Sequence, residues 1–316
     1  MAYSPQVEAR LQDWRDSLAD LLTVLGGDSG GRTLDQLRVG YGQMLSGHPV
    51  SDGVSVDELE LAGIPTLRVT PTSGAPDAHL LYFHGGAYLF GTPAGYLGLA
   101  SRLALAGDCT VYVPDYRLAP EHPFPTPILD CVQAYGGLLD LGVDPKRVVF
   151  AGDSAGGSLT ISVMVHARNR GWPLPAGGTA ISPWCDLEHA GRSMRTREGI
   201  DPLCARAALD VQARAFLQGA RPEHPDASPI HADVRGLPPI LVQVGEAEVM
   251  MSGAMRLAEH LAESGVRSTL EVWPNMFHVW HLFAAILDEG QQAIDGFSQF
   301  HRRLLAPARR QPTPAT

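Results

Sequence analysis

A serine between two glycines is the residue of this chain best placed for nucleophilic chemistry. Ser154 forms a Gly-x-Ser-x-Gly pattern with Gly152 and Gly156, after an apolar stretch over 148–151 and before a helical stretch. A strand that turns sharply into a helix pushes the central side chain outward, and glycines two positions away on either side relieve the crowding. The pattern therefore predicts an exposed nucleophile, with the amide of Ala155 pointing at the oxyanion formed in acyl transfer.

Two further glycines predict the rest of an oxyanion hole. An apolar stretch over 80–83 ends in His84, Gly85 and Gly86. Backbone N–H groups without side chains in the way can be held in place before negative charge develops on a tetrahedral intermediate. We expect Gly85 and Gly86 to donate together with Ala155, and we expect His84 to orient this loop rather than take a proton.

A nucleophilic serine also needs a base, and the base needs an acid that fixes its tautomer. Of the 12 histidines, His278 follows the last apolar stretch and precedes the last helical one, whereas the pattern around His281 is already helical. Glu246 and Glu248 follow the apolar stretch over 240–244. We expect His278 to be the base and one of the two glutamates to be the acid, because serine, carboxylate, histidine is the chain order of α/β-hydrolases.

The elements that would position these residues are short apolar strands that alternate with helices. We expect strands at 80–83, 110–113, 148–151, 180–182, 240–244 and 269–272, and helices near 95–106, 125–140, 156–170, 205–218, 252–264 and 288–305. Such alternation indicates a mostly parallel sheet with helices on both faces. Residues 57–70 alternate between polar and apolar types, which favours paired strands before this series.

Two segments do not fit this alternation. The first covers residues 1–48 and has a helical pattern, carried by Val7, Leu11, Trp14, Leu18, Leu21 and Leu22 and then, after Thr33 as a cap, by Leu37, Tyr41 and Met44. The second, over 186–236, is polar and proline-rich. Ligands of open α/β sheets bind at the carboxyl edge of the strands, so we expect both segments to cover that edge as a cap. The predicted organisation is a helical cap segment over 1–48, a catalytic domain over 49–305 that includes the cap insertion, and a flexible tail over 306–316.

Composition excludes several classes of partner. Apolar residues make up 45% of the chain and charged residues 18%, which indicates a globular protein with a sizeable core. The net charge of −10, without a basic block, argues against nucleic acid and anionic membranes as partners. We find no apolar run of the roughly 18 residues that span a bilayer and no secretory signal, so we expect a cytoplasmic protein. The four cysteines form no Cys-x-x-Cys pair, and we expect free thiols.

Several motifs together resemble the hormone-sensitive-lipase-like family of esterases, the bacterial family IV type, from about residue 57 to the last helix. They are His-Gly-Gly at 84–86, Asp-Tyr-Arg-Leu-Ala-Pro-Glu at 115–121, Gly-Asp-Ser-Ala-Gly-Gly at 152–157, Ser-Pro-Trp at 182–184 with Asp186, and Met-Phe-His at 276–278. The resemblance implies the α/β-hydrolase fold with a helical cap. It implies Glu248 as the acid, where many relatives have Asp, with Glu246 as the fallback. It also implies a homodimer that pairs through the last strand and helix.

The chain departs from the family pattern at three places. Ala87 stands where the family usually has a third glycine after the histidine, which predicts a narrower acyl or alcohol side of the pocket. Val279 and Trp280 are bulkier than the family's usual Gly-Phe after the base. Met-Ser-Gly at 251–253 replaces an acidic pair beyond the acid, so we expect weaker support for His278.

Two charged features near the motifs are expected to be structural. The charged groups of the loop over 115–121 are expected to pair with each other and to brace the oxyanion loop. Asp153 precedes the nucleophile in a tight turn, where adjacent side chains point apart, so we expect it to cap or brace locally rather than to be the catalytic acid.

The predicted activity is that of a serine carboxylesterase that acts on small-molecule esters and requires no metal or organic cofactor. The short cap segments favour short- to medium-chain esters over long-chain triglycerides. Aromatic and methionine side chains near the motifs could line the pocket or pack in the core, namely Tyr88, Phe90, Trp184, Met276, Phe277 and Trp280. An amidase, lactonase or carbamate hydrolase would use the same triad. A ligand-binding receptor on an inactive hydrolase would lack the serine or the histidine, and a structural scaffold would leave both glycine-rich strand ends unexplained.

Overall fold

One mixed sheet of eight strands organises the fold. The computed structural model describes residues 3–25, 33–74 and 76–306, without the side chains of 17–25. The strands are β1 Val54–Leu61, β2 Ile64–Pro71, β3 His79–Phe83, β4 Thr110–Pro114, β5 Val148–Asp153, β6 Gly177–Ile181, β7 Ile240–Gly245 and β8 Ser268–Trp273. Their spatial order is β1-β2-β4-β3-β5-β6-β7-β8. The pairs β1–β2 and β2–β4 are antiparallel, and all other pairs are parallel.

Helices follow most of the strands and cover both faces of the sheet. They are α1 Pro5–Leu25, α2 Leu34–Ser46, α3 Leu97–Gly107, α4 Thr126–Asp140, α5 Ala155–Asn169, α6 Ser193–Thr196, α7 Arg206–Leu217, α8 Met251–Glu263 and α9 Asp288–Leu305. The predicted strands and helices of the βα series are confirmed, with small shifts at their ends. The short helix α6 was not predicted. The predicted α/β-hydrolase architecture is therefore confirmed.

The central strands are apolar on both faces because each face packs against helices. All residues of β4, β5, β6 and β7 are buried. Two clusters of buried apolar side chains form the core of the described chain, and each contains side chains from the sheet and from the helices that pack on it. This packing brings the carboxyl ends of β3, β5, β7 and β8 to one edge of the sheet, and the predicted site residues follow those ends.

The amino-terminal helices pack onto the domain by their apolar faces. Val7, Leu11 and Trp14 of α1 are buried, whereas the side chains of Leu18, Leu21 and Leu22 lie outside the described residues. Thr33 caps α2 as predicted: its hydroxyl accepts the Gln36 N–H, and the Gln36 side chain accepts the Thr33 N–H at 2.9 Å. Most of the predicted tail, from 307 onward, also lies outside the described residues. In the described part of the chain, no helix has both the length and the hydrophobicity needed to cross a bilayer.

Candidate active site

The predicted strand-to-helix turn places Ser154 between β5 and α5. Its backbone has φ +55° and ψ −118°, a conformation that is costly for a residue with a side chain. Its N–H donates to Ile181 O at 2.9 Å, and its carbonyl accepts from Trp184 N–H at 3.0 Å. A Cβ atom at Gly156 would lie 1.8 Å from Phe83 O, so this position admits only glycine. The turn is thus held by neighbouring backbone on both sides, and Ser154 lines a cavity above the sheet edge.

A histidine and a glutamate from two other strand ends meet beside this serine. His278 Nδ1 lies 3.0 Å from Glu248 Oε2, and both side chains are buried. Because Nδ1 faces a carboxylate, it carries the proton, which leaves Nε2 as the ring's acceptor. His278 lines the same cavity as Ser154, and the two side chains are not hydrogen-bonded to each other in this structure. Hydrogen bonds between catalytic groups often form only once substrate is bound.

The structure separates the two candidate acids. Glu246 forms an ion pair with Arg197, and its side chain is 41% exposed. Glu248 is fully buried, and its Oε1 accepts the Gly245 N–H at 2.5 Å and the Ser182 hydroxyl at 2.7 Å. Of the two carboxylates, Glu248 therefore contacts His278 and Glu246 does not.

Ser182 contacts both Glu248 and the loop of His278, whereas the expectation of weaker support for His278 stays a prediction. It follows β6, donates to Glu248 and accepts the Val279 N–H at 3.2 Å. It therefore joins the candidate acid Glu248 to the loop that carries the candidate base His278. Ser182 belongs to the Ser-Pro-Trp motif. The motif marks this position in the sequence but does not predict its contact with Glu248.

Three carboxylates act on the imidazole. Burial lowers the pKa of His278, but the hydrogen bond and charge of Glu248 and the charges of Asp201 and Asp153 raise it, and the net pKa lies above the ordinary histidine value. The site therefore stabilises an imidazolium, the species that a general base becomes after taking a proton.

Asp201 is a site residue that the sequence reasoning missed. It is buried in the insertion over 186–236, and its Oδ1 accepts the N–H groups of Leu203 and Cys204 at 3.0 and 3.1 Å. Its Oδ2 accepts the Val249 N–H at 2.9 Å, next to the acid. Burial raises the pKa of Asp201 to about 6. An Asp-Pro pair in a polar segment resembles an ordinary turn, so no signal in the sequence distinguished it.

One predicted oxyanion donor is wrong. The Gly85 N–H donates to Asp153 Oδ1 at 2.9 Å and to the Tyr96 hydroxyl at 3.1 Å, so it is not available to a substrate. Gly86 and Ala87 line the cavity instead, and neither N–H has a hydrogen-bond partner among the described residues. The positive φ of Gly86, +114°, and of Ala87, +56°, turns this backbone away from the sheet.

The predicted donor Ala155 is retained. It is the first residue of α5, where the N–H groups of a helix have no intrahelical partner. The candidate donors are therefore Gly86, Ala87 and Ala155. Ala87, which replaces the family's glycine, lines the cavity and is also one of these candidate donors.

Asp153 braces the oxyanion loop over a longer distance than predicted. Its Oδ1 also accepts the Tyr82 hydroxyl at 2.7 Å, and its Oδ2 accepts the Tyr96 hydroxyl at 2.9 Å. These partners come from β3 and from the start of α3, not from the elbow itself. Burial raises the pKa of Asp153 to about 6, although the hydrogen bonds from Tyr82, Tyr96 and Gly85 and the charge of His278 lower it.

His84 holds the same loop from the opposite side. Its Nδ1 donates to Gly85 O at 2.8 Å, and its ring stacks on Tyr116 with 4.2 Å between the ring centres. The Tyr116 hydroxyl donates to His84 O at 2.7 Å. Burial lowers the pKa of His84 to about 4, so its ring is neutral near pH 7. These contacts agree with the expectation that His84 orients the loop.

The charged groups of the loop over 115–121 do not pair with each other. Arg117 binds Asp130 at 2.7 Å, because that carboxylate is buried in α4 and needs a partner. Glu121 binds Arg38 of α2 at 2.7 Å. Arg38 also donates to Leu89 O at 3.0 Å, so part of the brace on the oxyanion loop comes from the amino-terminal helices.

The cavity above Ser154 has a volume of about 230 Å³. Two of the six predicted wall residues, Phe90 and Trp184, line it. The other walls come largely from the amino-terminal helices, from 201–212 and from the loop after His278, and they include Trp14, Tyr41, Leu203, Leu209, Gln212, Met250, Val279 and Leu282.

Tyr88, Met276, Phe277 and Trp280 do not line this cavity. Tyr88 stacks on Phe216 at 3.9 Å, Phe277 packs edge-on to Phe283 at 4.9 Å, and Trp280 packs on Trp273 at 5.7 Å. Met276 is buried in the core. These four side chains lie next to site residues in the chain but pack in the core. Of the bulky pair after the base, Val279 narrows the cavity and Trp280 does not.

Comparisons with known proteins agree with this geometry. A family model described as the alpha/beta hydrolase fold matches residues 80–282. An acetyl-hydrolase of Streptomyces hygroscopicus is 44% identical over 71% of this chain and 75% of its own length. An esterase of Acinetobacter venetianus is 29% identical over 80% of this chain and 83% of its own length.

Solved structures show the same relationship over nearly the whole chain. The crystal structure of an esterase from the bacterial hormone-sensitive lipase family superposes with a TM-score of 0.90 and 39% identity, and the match covers 97% of this chain and 100% of that one. The resemblance inferred from the motifs is thereby confirmed. The chain belongs to the α/β-hydrolase family and, within it, to the esterases related to hormone-sensitive lipase.

Proposed function

We propose that this protein is a serine carboxylesterase that hydrolyses short- to medium-chain esters through an acyl-enzyme, with Ser154, His278 and Glu248 as the catalytic triad. The observation that carries the proposal is the Glu248–His278 pair at 3.0 Å, with the imidazole facing the cavity lined by Ser154, Gly86 and Ala87. The relatives named acetyl-hydrolase and esterase support the same reaction class.

In the acylation step, Ser154 Oγ attacks the ester carbonyl carbon while His278 Nε2 takes the hydroxyl proton. The carbonyl oxygen becomes an oxyanion, and the N–H groups of Gly86, Ala87 and Ala155 are placed to donate to it. The intermediate collapses when the C–O bond to the alcohol breaks, and the imidazolium gives its proton to the departing alkoxide. Glu248 keeps the His278 ring in the tautomer with the proton on Nδ1, which these reaction steps need.

Deacylation repeats these steps with water as the nucleophile. His278 takes a proton from water as its oxygen attacks the acyl carbon, and the same donors stabilise the second oxyanion. The bond to Ser154 Oγ then breaks, the serine recovers its proton from the imidazolium, and the carboxylic acid leaves.

The size of the cavity supports the preference for shorter esters. It holds about 230 Å³, and side chains of α1, α2 and α7 wall it off. We further propose that these helices act as the cap, because their side chains separate Ser154 from solvent. A series of p-nitrophenyl esters tests this: kcat/KM should fall once the acyl chain exceeds roughly ten carbons, the length at which a chain no longer fits a pocket of this size. A steady rise beyond that length would contradict the proposal.

The cytoplasmic location and the homodimer expected from the sequence stay predictions. The edge strand β8 leaves Leu270 and Val272 partly exposed, at 37% and 38%, and these apolar side chains support pairing through that edge. Light scattering should give the mass of a dimer, and a monomer at every concentration would remove the expectation.

A further inference from the structure

Gln212 places an unpartnered amide in the wall of the catalytic cavity. It lies on α7, lines the cavity and is only 7% exposed. Among the described residues, its side chain makes no hydrogen bond. The apolar residues that line the same cavity include Leu203, Leu209 and Met250. An amide that faces the cavity without a protein partner can pair with a polar group that enters the cavity.

The packing of α7 does not require a glutamine here. Leu209, Ala213 and Phe216 form the buried face of the helix, and position 212 continues that face. Helical periodicity therefore predicts an apolar residue at 212. The polar amide is the exception on this face. This exception indicates that Gln212 has a role in the cavity rather than in the core.

Other contacts already fix α7 in place. His189 Nε2 accepts the Trp184 indole N–H at 2.9 Å, so its Nδ1 carries the proton and donates to Asp210 Oδ1 at 2.7 Å. At the far end of the helix, Phe216 stacks on Tyr88. Gln212 thus has a fixed position in the wall without itself holding the helix.

The charges in the wall indicate what kind of group Gln212 can bind. Asp153 and Asp201, both buried, line the same cavity and disfavour an anionic ligand. Arg15 also lines the cavity, but its Nε donates to Pro202 O at 3.2 Å and its side chain lies on the exposed side of α1. An uncharged oxygen is therefore the better match for the amide.

We propose that Gln212 is a specificity-determining residue that hydrogen-bonds a second, uncharged oxygen of the substrate, so that the preferred ester carries a carbonyl or hydroxyl group besides the ester to be cleaved. This rests on the proposed esterase function and narrows its substrate class. Water can satisfy the amide in the free enzyme. A purely alkyl ester displaces that water without replacing its hydrogen bond, whereas an oxygenated ester replaces it.

Shape-matched ester pairs test the proposal. On the acyl side, p-nitrophenyl levulinate is compared with p-nitrophenyl isohexanoate, which has a methyl group in place of the ketone oxygen. On the alcohol side, isopentyl acetate is compared with the analogue that carries a hydroxyl in place of one methyl. Each rate is divided by the rate of alkaline hydrolysis of the same ester, which removes differences in intrinsic reactivity.

The wild-type enzyme should favour the oxygenated member on at least one side by roughly fivefold in kcat/KM, the usual value of one hydrogen bond between neutral groups. In Gln212→Leu and Gln212→Met the ratio should fall to about one. Leu209→Met, which changes the shape of the same wall but not its polarity, should keep the wild-type ratio. No preference on either side in the wild type, or a preference that survives in both Gln212 variants, would overturn the inference. If the wild type cleaves none of the esters, the proposed function itself fails.

Discussion

The carboxylate of Asp153 accepts the backbone N–H of Gly85 at 2.9 Å. This bond joins the nucleophile elbow to the oxyanion loop, because Asp153 directly precedes Ser154 and Gly85 directly precedes Gly86. It also removes Gly85 from the set of oxyanion donors. One buried carboxylate therefore fixes the nucleophile elbow and the oxyanion loop relative to each other.

Changing Asp153 should damage catalysis in proportion to the hydrogen bonds that are lost. In Asp153→Ala two tyrosine hydroxyls lose their acceptor and the Gly85 N–H keeps only the Tyr96 hydroxyl, so we expect kcat to fall by roughly 10²–10³, as when an oxyanion donor is displaced. In Asp153→Asn the amide oxygen can still accept from Gly85 and Tyr82, and the amide nitrogen can donate to Tyr96, so the loss should be much smaller. Equal losses in the two variants, measured as kcat on p-nitrophenyl butyrate, would refute this role.

The same carboxylate should make stability depend on pH. Burial raises the pKa of Asp153 to about 6 in the folded state, well above its ordinary value near 3.8. Between these values the folded protein binds a proton that the unfolded chain does not, so stability should increase as the pH falls from about 7 to about 5. Urea unfolding at both pH values should show that the wild type gains stability relative to Asp153→Asn. An unchanged difference between the two proteins would contradict the assignment.

Replacing Glu248 should change both the rate and the pH profile. The hydrogen bond and charge of Glu248 raise the pKa of His278 against the opposing effect of burial. Glu248→Gln should therefore shift the acid limb of kcat/KM to lower pH and reduce kcat by roughly 10³–10⁴, because the tautomer of the base is no longer fixed. Glu248→Asp keeps the charge and should recover part of the rate.

Glu246→Gln is the matched control for that experiment. Glu246 is bound to Arg197 at the surface, away from the imidazole, so its variant should keep the wild-type acid limb. A loss of rate in Glu246→Gln as large as that in Glu248→Gln would contradict the assignment of Glu248 as the acid.

Arg38 should stabilise the folded protein by holding the oxyanion loop and the loop over 115–121. It donates to Leu89 O at 3.0 Å and to Ala119 O at 2.8 Å, and it pairs with Glu121. Arg38→Met leaves two carbonyls without their donor and should lower the free energy of unfolding by about 1–3 kcal/mol. Arg68→Met removes a solvent-exposed ion pair with Asp57 and should cost less than about 1 kcal/mol. Urea denaturation of both variants checks this, and equal costs would argue against the brace.

The sequence predicted best the residues whose position is set by local geometry. Ser154, Glu248 and His278 each follow an apolar strand, and parallel strands bring their carboxyl ends to one edge, so the elements alone determine that these residues meet. Thr33 and the helix that it caps were predicted for the same reason, since a capping box is a local pattern.

The sequence could not show which polar groups are already hydrogen-bonded within the folded protein. Gly85 and Gly86 look equivalent in the chain, and only the folded position of Asp153 shows that the first has lost its N–H. The prediction of the pocket walls failed for the same reason. Tyr88 and Phe277 lie next to site residues in the chain but face the core. Trp14 and Gln212 line the cavity, but they come from distant segments that carry no local signal. The polar appearance of the insertion hid Asp201, because an acceptor of three backbone N–H groups looks like any loop aspartate.

Covalent labelling of the folded enzyme tests the proposed nucleophile most directly. The protein is treated with a p-nitrophenyl phosphonate, digested and analysed by mass spectrometry, with Ser154→Ala and His278→Ala treated in parallel. The account predicts one phosphonyl group on Ser154 in the wild type, none on Ser154→Ala and strongly slowed labelling of His278→Ala. An unmodified Ser154 in folded protein, or a label on a different residue, would contradict it.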